Sequence, residues 1–295
     1  QCMALFFQQI INSISIGGIY ALMSVGYALI YSLLMFTNFA HSLSVTGGAY
    51  LTFVFLTKIS GNLYLGIIFG ILMGALASLI IEITAYRSLL MRNSKRSFLT
   101  IIGMGVSTIG LNLIIIIFSS RFKVFPTNFK GELIQVFGAS LSTIDVVIIV
   151  TSAIALIAVQ LFINKTRLGL AIRASSHDLD TAALMGVDVN KLLTTVFVIA
   201  GALAGLAGAL LGAKYQAYPN LGASMTNKAF ISSVVGGLGS LPGAVLGSFV
   251  LSTGEVMISG YVSSTLRDVF AYVLLVVILL VRPVGLMGKR FGDKA

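Results

Sequence analysis

No formal charge appears in this chain before Lys58, and residues 98–118, 146–164, 192–213 and 229–254 are also free of charge. A helix needs about 20 apolar residues to cross the hydrocarbon core of a bilayer. A chain with so many runs of that length is built to lie in lipid. Charged residues make up 9% of it and apolar ones 57%, whereas a soluble domain carries roughly 25% charge. The fold class that follows is all-α, a polytopic membrane protein with about eight or more transmembrane helices. Apolar segments lie at about 9–33, 39–57, 63–86, 98–118, 144–164, 192–213, 229–254 and 267–287. They leave no room for a soluble domain, so residues 1–295 read as one transmembrane domain. Any ATPase or large ligand-binding domain belongs to another chain.

The net charge of +10 is a matter of topology rather than of nucleic acid. Twelve of nineteen basic residues gather in three places: Arg87, Arg92, Lys95 and Arg96; Lys165, Arg167, Arg173 and Lys191; and Arg282, Lys289, Arg290 and Lys294. The positive-inside rule puts all three in the cytoplasm. Arg121, Lys123 and Lys130 pull the other way, from a loop that must lie outside. Counting crossings exposes a conflict. If segments 192–213, 229–254 and 267–287 each crossed once, the basic C-terminus would end outside. One of them cannot cross simply. Cys2 is the only cysteine, which excludes an internal disulfide and a thiolate metal site. The opening Gln1-Cys2-Met3 is not a secretory signal, because apolar sequence runs past Leu34 with no basic start. It leaves room for residues upstream.

Between two long apolar segments stands a polar island, residues 164–191, holding seven of the charged residues. Ser175-Ser176-His177-Asp178 fits the Ser-x-x-acid capping box. It predicts a short helix over 178–185, with Asp178 and Asp180 in the first turn, where the helix dipole favours them. Gly186 suits its C-terminal stop. Leu179, Ala182 and Ala183 fall on one face, small enough for another protein's groove to close around it. An ordinary solvated connecting helix fits the same residues.

Two segments are interrupted. Val234-Val235-Gly236-Gly237-Leu238-Gly239-Ser240-Leu241-Pro242-Gly243 will not sit in one continuous helix. It reads as a half-helix, an irregular turn and a second helix, or as two short spans. Near the N-terminus, Asn38, His41, Ser42, Ser44, Thr46, Gly47 and Gly48 interrupt apolar sequence before Ala49-Tyr50-Leu51. Irregular backbone at membrane depth must face protein or a watery cavity. One break in each half of the chain points to an inverted repeat around a central pathway. Asn38, His41, Gly47, Gly48, Tyr50, Gly236, Gly237, Gly239 and Pro242 are therefore the candidate pathway residues. Gly201/Gly205 and Gly208/Gly212 are small-xxx-small pairs, which let helices approach closely. Tight packing is their first reading.

Catalytic chemistry finds little support. His41 has no cysteine or second histidine near it, and His177 lies on the island, so no metal site is expected. His41 either lines the pathway or caps the break. Glu82, Asp145, Glu255 and Asp268 lie in or near spans, where buried ionisable groups are functional suspects. Only Glu255 is placed to lie deep. No nucleophile–base pair, phosphate loop or dinucleotide fingerprint is present, so no enzyme activity is expected.

Asn38-Phe39-Ala40-His41 with Gly48-Ala49-Tyr50 resembles the LivH-type permeases of bacterial branched-chain amino acid ABC importers. So do Arg173-Ala174, Asp178, Ala182-Ala183-Leu184 and Gly186 on the island. So do the stretch from Gly236 to Ala244 and the terminal Val281-Arg282-Pro283-Val284-Gly285-Leu286. The resemblance runs from about residue 8 to residue 290. It implies a multi-pass subunit of the bacterial cytoplasmic (inner) membrane. Such a subunit pairs with a second permease, two cytoplasmic ATP-binding subunits and an extracytoplasmic substrate-binding protein. ATP and Mg would be bound by the partner ATPases, with no cofactor and no nucleic acid on this chain. The island would be the coupling helix, with Arg173, Ala174, Asp178, Leu179, Ala182, Ala183, Leu184 and Gly186 meeting an ATPase. The sequence departs from the family pattern at Ser42 and Leu43, where Gly and an acid are usual, and at Ile83 and Ser88, where Arg and Pro are usual. The first departure touches the pathway, so short-chain amides, urea and other amino acids stay open as substrates. An ion-coupled secondary transporter is the rival, and it would need a deep coupling carboxylate. A non-transporting scaffold would not need two broken segments.

Overall fold

The computed structural model describes residues 2–92, 94–126, 133–136 and 139–288. Two helices form its centre, α1 (Cys2–Leu34) and α9 (Val189–Tyr215). Both are apolar all round, and such a helix is stable only when enclosed. Around them stand α2 (His41–Lys58), α3 (Leu63–Ile81), α5 (Arg96–Phe118), α6 (Thr143–Lys165), α10 (Leu221–Gly236), α11 (Leu241–Tyr261) and α12 (Leu266–Val281). One π-helical turn, Glu82–Tyr86, continues α3 into the short α4 (Arg87–Met91). The island folds as α7 (Arg167–Ser175) and α8 (Leu179–Leu184). In the polar segment before α6, β1 (Leu133–Val136) and β2 (Ala139–Ser142) form an antiparallel hairpin with Leu133 opposite Ser142. The sequence reading does not foresee that hairpin. Among the described residues six helices are long and apolar enough to cross a membrane. The remaining long helices, α2, α10 and α12, have 18, 16 and 16 residues.

Glycines set how closely the centre packs. A Cβ on Gly48 of α2 would lie 2.6 Å from the Gly205 Cα of α9. Gly201 and Gly205 meet α3, while Gly208 meets the backbone of Val45 in α2. The small-xxx-small pairs thus serve packing on two sides of one helix.

The chain repeats itself upside down. The series α1–α2–α3 corresponds to α9–α10–α11. In each, a long central helix ends in a left-handed non-glycine residue, Met35 (φ 50°) or Gln216 (φ 78°). Four or five residues then lead back to a shorter helix. The third helix of each series packs on the first helix of the other, α3 on α9 and α11 on α1. Leu34, Met91, Arg96, Ser175 and Val189 all line one cavity at one end of the bundle. So α1 finishes where α9 begins, and the two series run in opposite directions.

One expected break is displaced and the other is found. The break near the N-terminus lies at residues 35–40, and α2 runs unbroken through Gly47, Gly48 and Tyr50. Paired apolar contacts and the Gly48–Gly205 approach compensate the low helix propensity of those glycines. The 229–254 segment is interrupted where expected, with α10 ending at Gly236 and α11 starting at Leu241 across the turn 237–240, but α10 starts eight residues earlier than the charge-free run, at Leu221. Four long helices therefore follow the island. That even number returns the C-terminal segment to the island's side and removes the counting conflict. Gly239 lies beside Ser32, near the end of α1, in agreement with that placement. Lys289, Arg290 and Lys294 of the C-terminal cluster, and Lys130, lie outside the described residues.

Candidate functional site

The island is anchored before it is presented. The Arg173 guanidinium donates to the Ile163 carbonyl, tying α7 to the end of α6. Ala174, one residue on, is exposed. Thr166 caps α7, its Oγ1 accepting from the Gly169 amide at 2.9 Å. Asp178 caps α8: its Oδ1 accepts from the Thr181 amide at 3.1 Å and its Oδ2 from the Thr181 hydroxyl at 2.7 Å. Ser175 is not the cap expected from the capping box, because α7 already includes it. Gly186 stops α8 at φ 90°; its amide donates to the Ala183 carbonyl, and the Val187 amide to the Ala182 carbonyl. That is a Schellman stop, and it requires the left-handed residue that glycine supplies. Asp188 then caps α9, and its bond from the Lys191 amide, with the Lys191 ammonium 3.1 Å away, holds its carboxyl below the usual carboxylate range.

Burial separates the two faces of α8. Ala182 is buried and Leu179 packs partly against the permease's own core. Leu184 and Met185, 88% and 83% exposed, project away from it. Ala183 is exposed and also lines the cavity beneath the island. The residues presented outward are thus Ala183, Leu184 and Met185, while Leu179 and Ala182 hold the helix in place.

The candidate pathway residues do not gather at one opening. Asn38 is buried and accepts from the Tyr86 hydroxyl at 2.7 Å, holding the 35–40 break against the end of α3. His41 is buried at the start of α2, where a Cβ on Gly26 of α1 would lie 3.1 Å from its Cε1. Gly48 meets α9, and Tyr50 packs on Phe118 with ring centroids 4.9 Å apart. Gly47 alone has open space where a side chain would stand. Gly236 and Gly243 back onto each other across the second break. Gly237 (φ 113°) and Gly239 (φ 81°) form the turn, Ser240 caps α11, and Pro242 sits in its first turn. Val284 and Gly288 close over Gly237.

A polar line on α5 lies outside the candidate pathway residues. Gly105, Thr108 and Asn112 are exposed and share one face with Ile101. Thr108 Oγ1 donates to the Met104 carbonyl at 2.9 Å, and Asn112 Nδ2 to the Thr108 carbonyl at 2.8 Å. The opposite face is bound inward, with Ser42 and Ser107 hydroxyls 2.7 Å apart. The signal was present, since Gly105, Thr108 and Asn112 recur at three- and four-residue spacing within an apolar run.

The membrane carboxylates are all matched. Glu82 receives Arg87 Nε at 3.0 Å and Nη2 at 2.8 Å, and that Nη2 also reaches Thr194 of α9 at 2.7 Å. Asp145 binds the Lys214 ammonium at 2.6 Å and the Ser15 hydroxyl at 2.7 Å, joining α6, α9 and α1. Glu255, fully buried, is held by Lys228 at 2.9 Å, Arg267 at 2.7 Å and the Tyr20 hydroxyl at 2.9 Å. Lys228 also pairs with Asp268 at 2.9 Å. Among the described residues no group of three or more His, Cys, Asp or Glu could hold a metal ion.

A multi-pass bundle of two inverted halves with paired carboxylates is the architecture of a membrane transport permease. The sequence profile of the family described as "Branched-chain amino acid transport system / permease component" matches residues 9–279, and the chain belongs to that family. The family is one of transport permeases and not a class of enzymes. The high-affinity branched-chain amino acid transport system permease protein LivH of Escherichia coli (strain K12) is 34% identical, over 98% of this chain and 97% of that one. The corresponding BraD of Pseudomonas aeruginosa is 32% identical over 98% of each. Among solved structures, PsaBC from Streptococcus pneumoniae in complex with Fab shares the fold, with a TM-score of 0.51 and 16% identity over 95% of this chain and 92% of that one.

Proposed function

We propose that this chain is the membrane-spanning subunit of an ATP-driven importer in a bacterial cytoplasmic membrane, and that its cargo is a branched-chain amino acid or a related small polar solute. It would work with a second permease, two cytoplasmic ATPases that bind ATP and Mg, and an extracytoplasmic binding protein. The observation that supports this reading best is the presentation of Leu184 and Met185 at the end of a capped, anchored helix within the polar island. An apolar pair exposed to this degree is suited to another protein's groove. The pairing of Glu82, Asp145 and Glu255 disfavours ion coupling, which needs a carboxylate able to change its proton or sodium partner. In this reading the polar line of α5 borders the pathway, because Thr108 and Asn112 are costly against lipid and well suited to water.

Reconstitution tests it. The complex with its cognate partners, in proteoliposomes with ATP on the cytoplasmic face, should take up leucine only when the binding protein is present outside. Uptake driven by a proton or sodium gradient without ATP would refute the reading.

A further inference from the structure

From Leu192 to Gly212, α9 is buried except along one stripe. Thr194, Thr195, Val198, Ile199 and Ala202 are only half-buried, and all five line one groove. Its other walls include Ile71 of α3 and Ala155, Ala158 and Phe162 of α6. The Asp145–Lys214 pair pins α6 to α9 at the end remote from the island. Toward the island the groove opens between the two helices, and Leu168 of α7 stands at its end.

The dimensions select the occupant. The groove follows α9 from Thr194 to Leu206, about 18 Å at 1.5 Å per residue. That is close to one leaflet of a hydrocarbon core about 30 Å thick. A volume of about 630 Å³ over that length leaves a mean cross-section of about 35 Å², against roughly 80 Å² for a helix 10 Å across. A partner's helix is too thick to enter, whereas an extended hydrocarbon chain is not. The lining is apolar but for Thr194 and Thr195, and their hydroxyls already donate to the Asn190 and Lys191 carbonyls. A polar solute finds nothing there to bind.

Charge at the island end selects the headgroup. Four cations stand near that end, and two of them are neutralised, Arg87 by Glu82 and Lys191 by Asp188. Lys165 and Arg167, just before Leu168 in the chain, are exposed and make no ion pair among the described residues. Basic residues at the edge of the hydrocarbon attract anionic headgroups. Leu168 and Leu170 are exposed beside those cations, as on a helix that lies at a lipid surface. We propose that this groove holds one acyl chain of an anionic phospholipid, with its phosphate between Lys165 and Arg167. The chain fills the gap between α9 and α6, the helix to which Arg173 ties the island. It therefore fixes the island's root against the centre of the bundle.

The test is native mass spectrometry of the permease, purified in detergent in the complex it forms in its membrane, with dioleoyl-phosphatidylglycerol as the probe. One molecule per permease chain should bind saturably, at least tenfold more tightly than dioleoyl-phosphatidylcholine. Lys165→Gln combined with Arg167→Gln should reduce that preference at least fivefold. Ala158→Phe fills the groove and leaves the cations in place, so it should abolish the saturable site while the complex stays monodisperse. Equal binding of the two lipids overturns the proposal, because the lipid would then be an unselected part of the surrounding bilayer. Phosphatidylglycerol binding unchanged by the charge variant overturns it too. So does competition by glycerol 3-phosphate as strong as that by the lipid, since the chain would then contribute nothing. Ala158→Phe that separates the permease from its partner subunits, with lipid binding intact, would assign the groove to a partner protein and likewise overturn it.

Discussion

Lys214 shows how a single residue in this chain serves stability rather than transport. Its ammonium lies 2.6 Å from Asp145 and 2.9 Å from the Ser15 hydroxyl, and both ionic side chains are nearly buried. Removing one partner leaves an uncompensated charge, at a cost of about 3–5 kcal/mol. Lys214→Met should therefore lower the temperature at which half the protein stays monodisperse, read by size-exclusion chromatography after heating. Asp145→Asn combined with Lys214→Met should recover most of the loss. Two adjacent glycines give a sharper contrast. Gly47 faces open space, and alanine there should be neutral or stabilising by about 0.5–1 kcal/mol. Gly48→Ala pushes a methyl into the Gly205 backbone and should cost about 1–3 kcal/mol. Sequence makes the two positions look alike. Only the facing helix tells them apart.

At the scale of elements, the local signals were legible and the partners were not. Gly186 as the stop of α8 could be read from sequence, because a left-handed residue after a short helix is a local requirement. The start of α10 could not, because Asn227 and Lys228 read as a polar boundary. Lys228 is tolerated inside the bundle only because Glu255, 27 residues away on α11, and Asp268 on α12 meet it. Size alone points the small alanines of α8 toward a partner, whereas the buried Ala182 shows that small residues let the helix sit on its own permease. That reversal moves the docking test. Leu184→Asp alters an exposed side chain, so stability should change by no more than about 0.5 kcal/mol. ATP-driven uptake should fall at least tenfold while the permease still inserts, and normal uptake by an intact complex would remove α8 from the ATPase interface. Gly237 makes a second test of an element. At φ 113° any side chain is strained, and one here would also strike Gly288. Gly237→Leu should lower uptake, while the binding protein's affinity for its ligand stays unchanged.

For the whole molecule, the inverted repeat explains why counting spans from hydropathy fell one short. Hydropathy sees α1 and α9 clearly, because both are long and apolar. It misses α10, which has only 16 residues and carries Asn227 and Lys228 within it. The two halves nonetheless use the same device, a left-handed residue after the central helix and a return into the bundle, at Met35 and at Gln216. Inversion requires that whatever faces the cytoplasm in one half has its counterpart outside in the other. The loop between α2 and α3, residues 59–62, corresponds to the turn between α10 and α11, residues 237–240, and the two should lie on opposite sides. Cysteine labelling in a Cys2→Ser background decides this with three positions. Ser60→Cys and Ser263→Cys, at the ends remote from the island, should react with a membrane-impermeant maleimide applied to intact cells. His177→Cys should react only after the cells are opened. Labelling of position 177 from outside, or protection of both 60 and 263, would require the opposite orientation. It would also place the basic residues Arg87, Arg92, Lys95 and Arg96 outside, against the charge asymmetry that orients such chains.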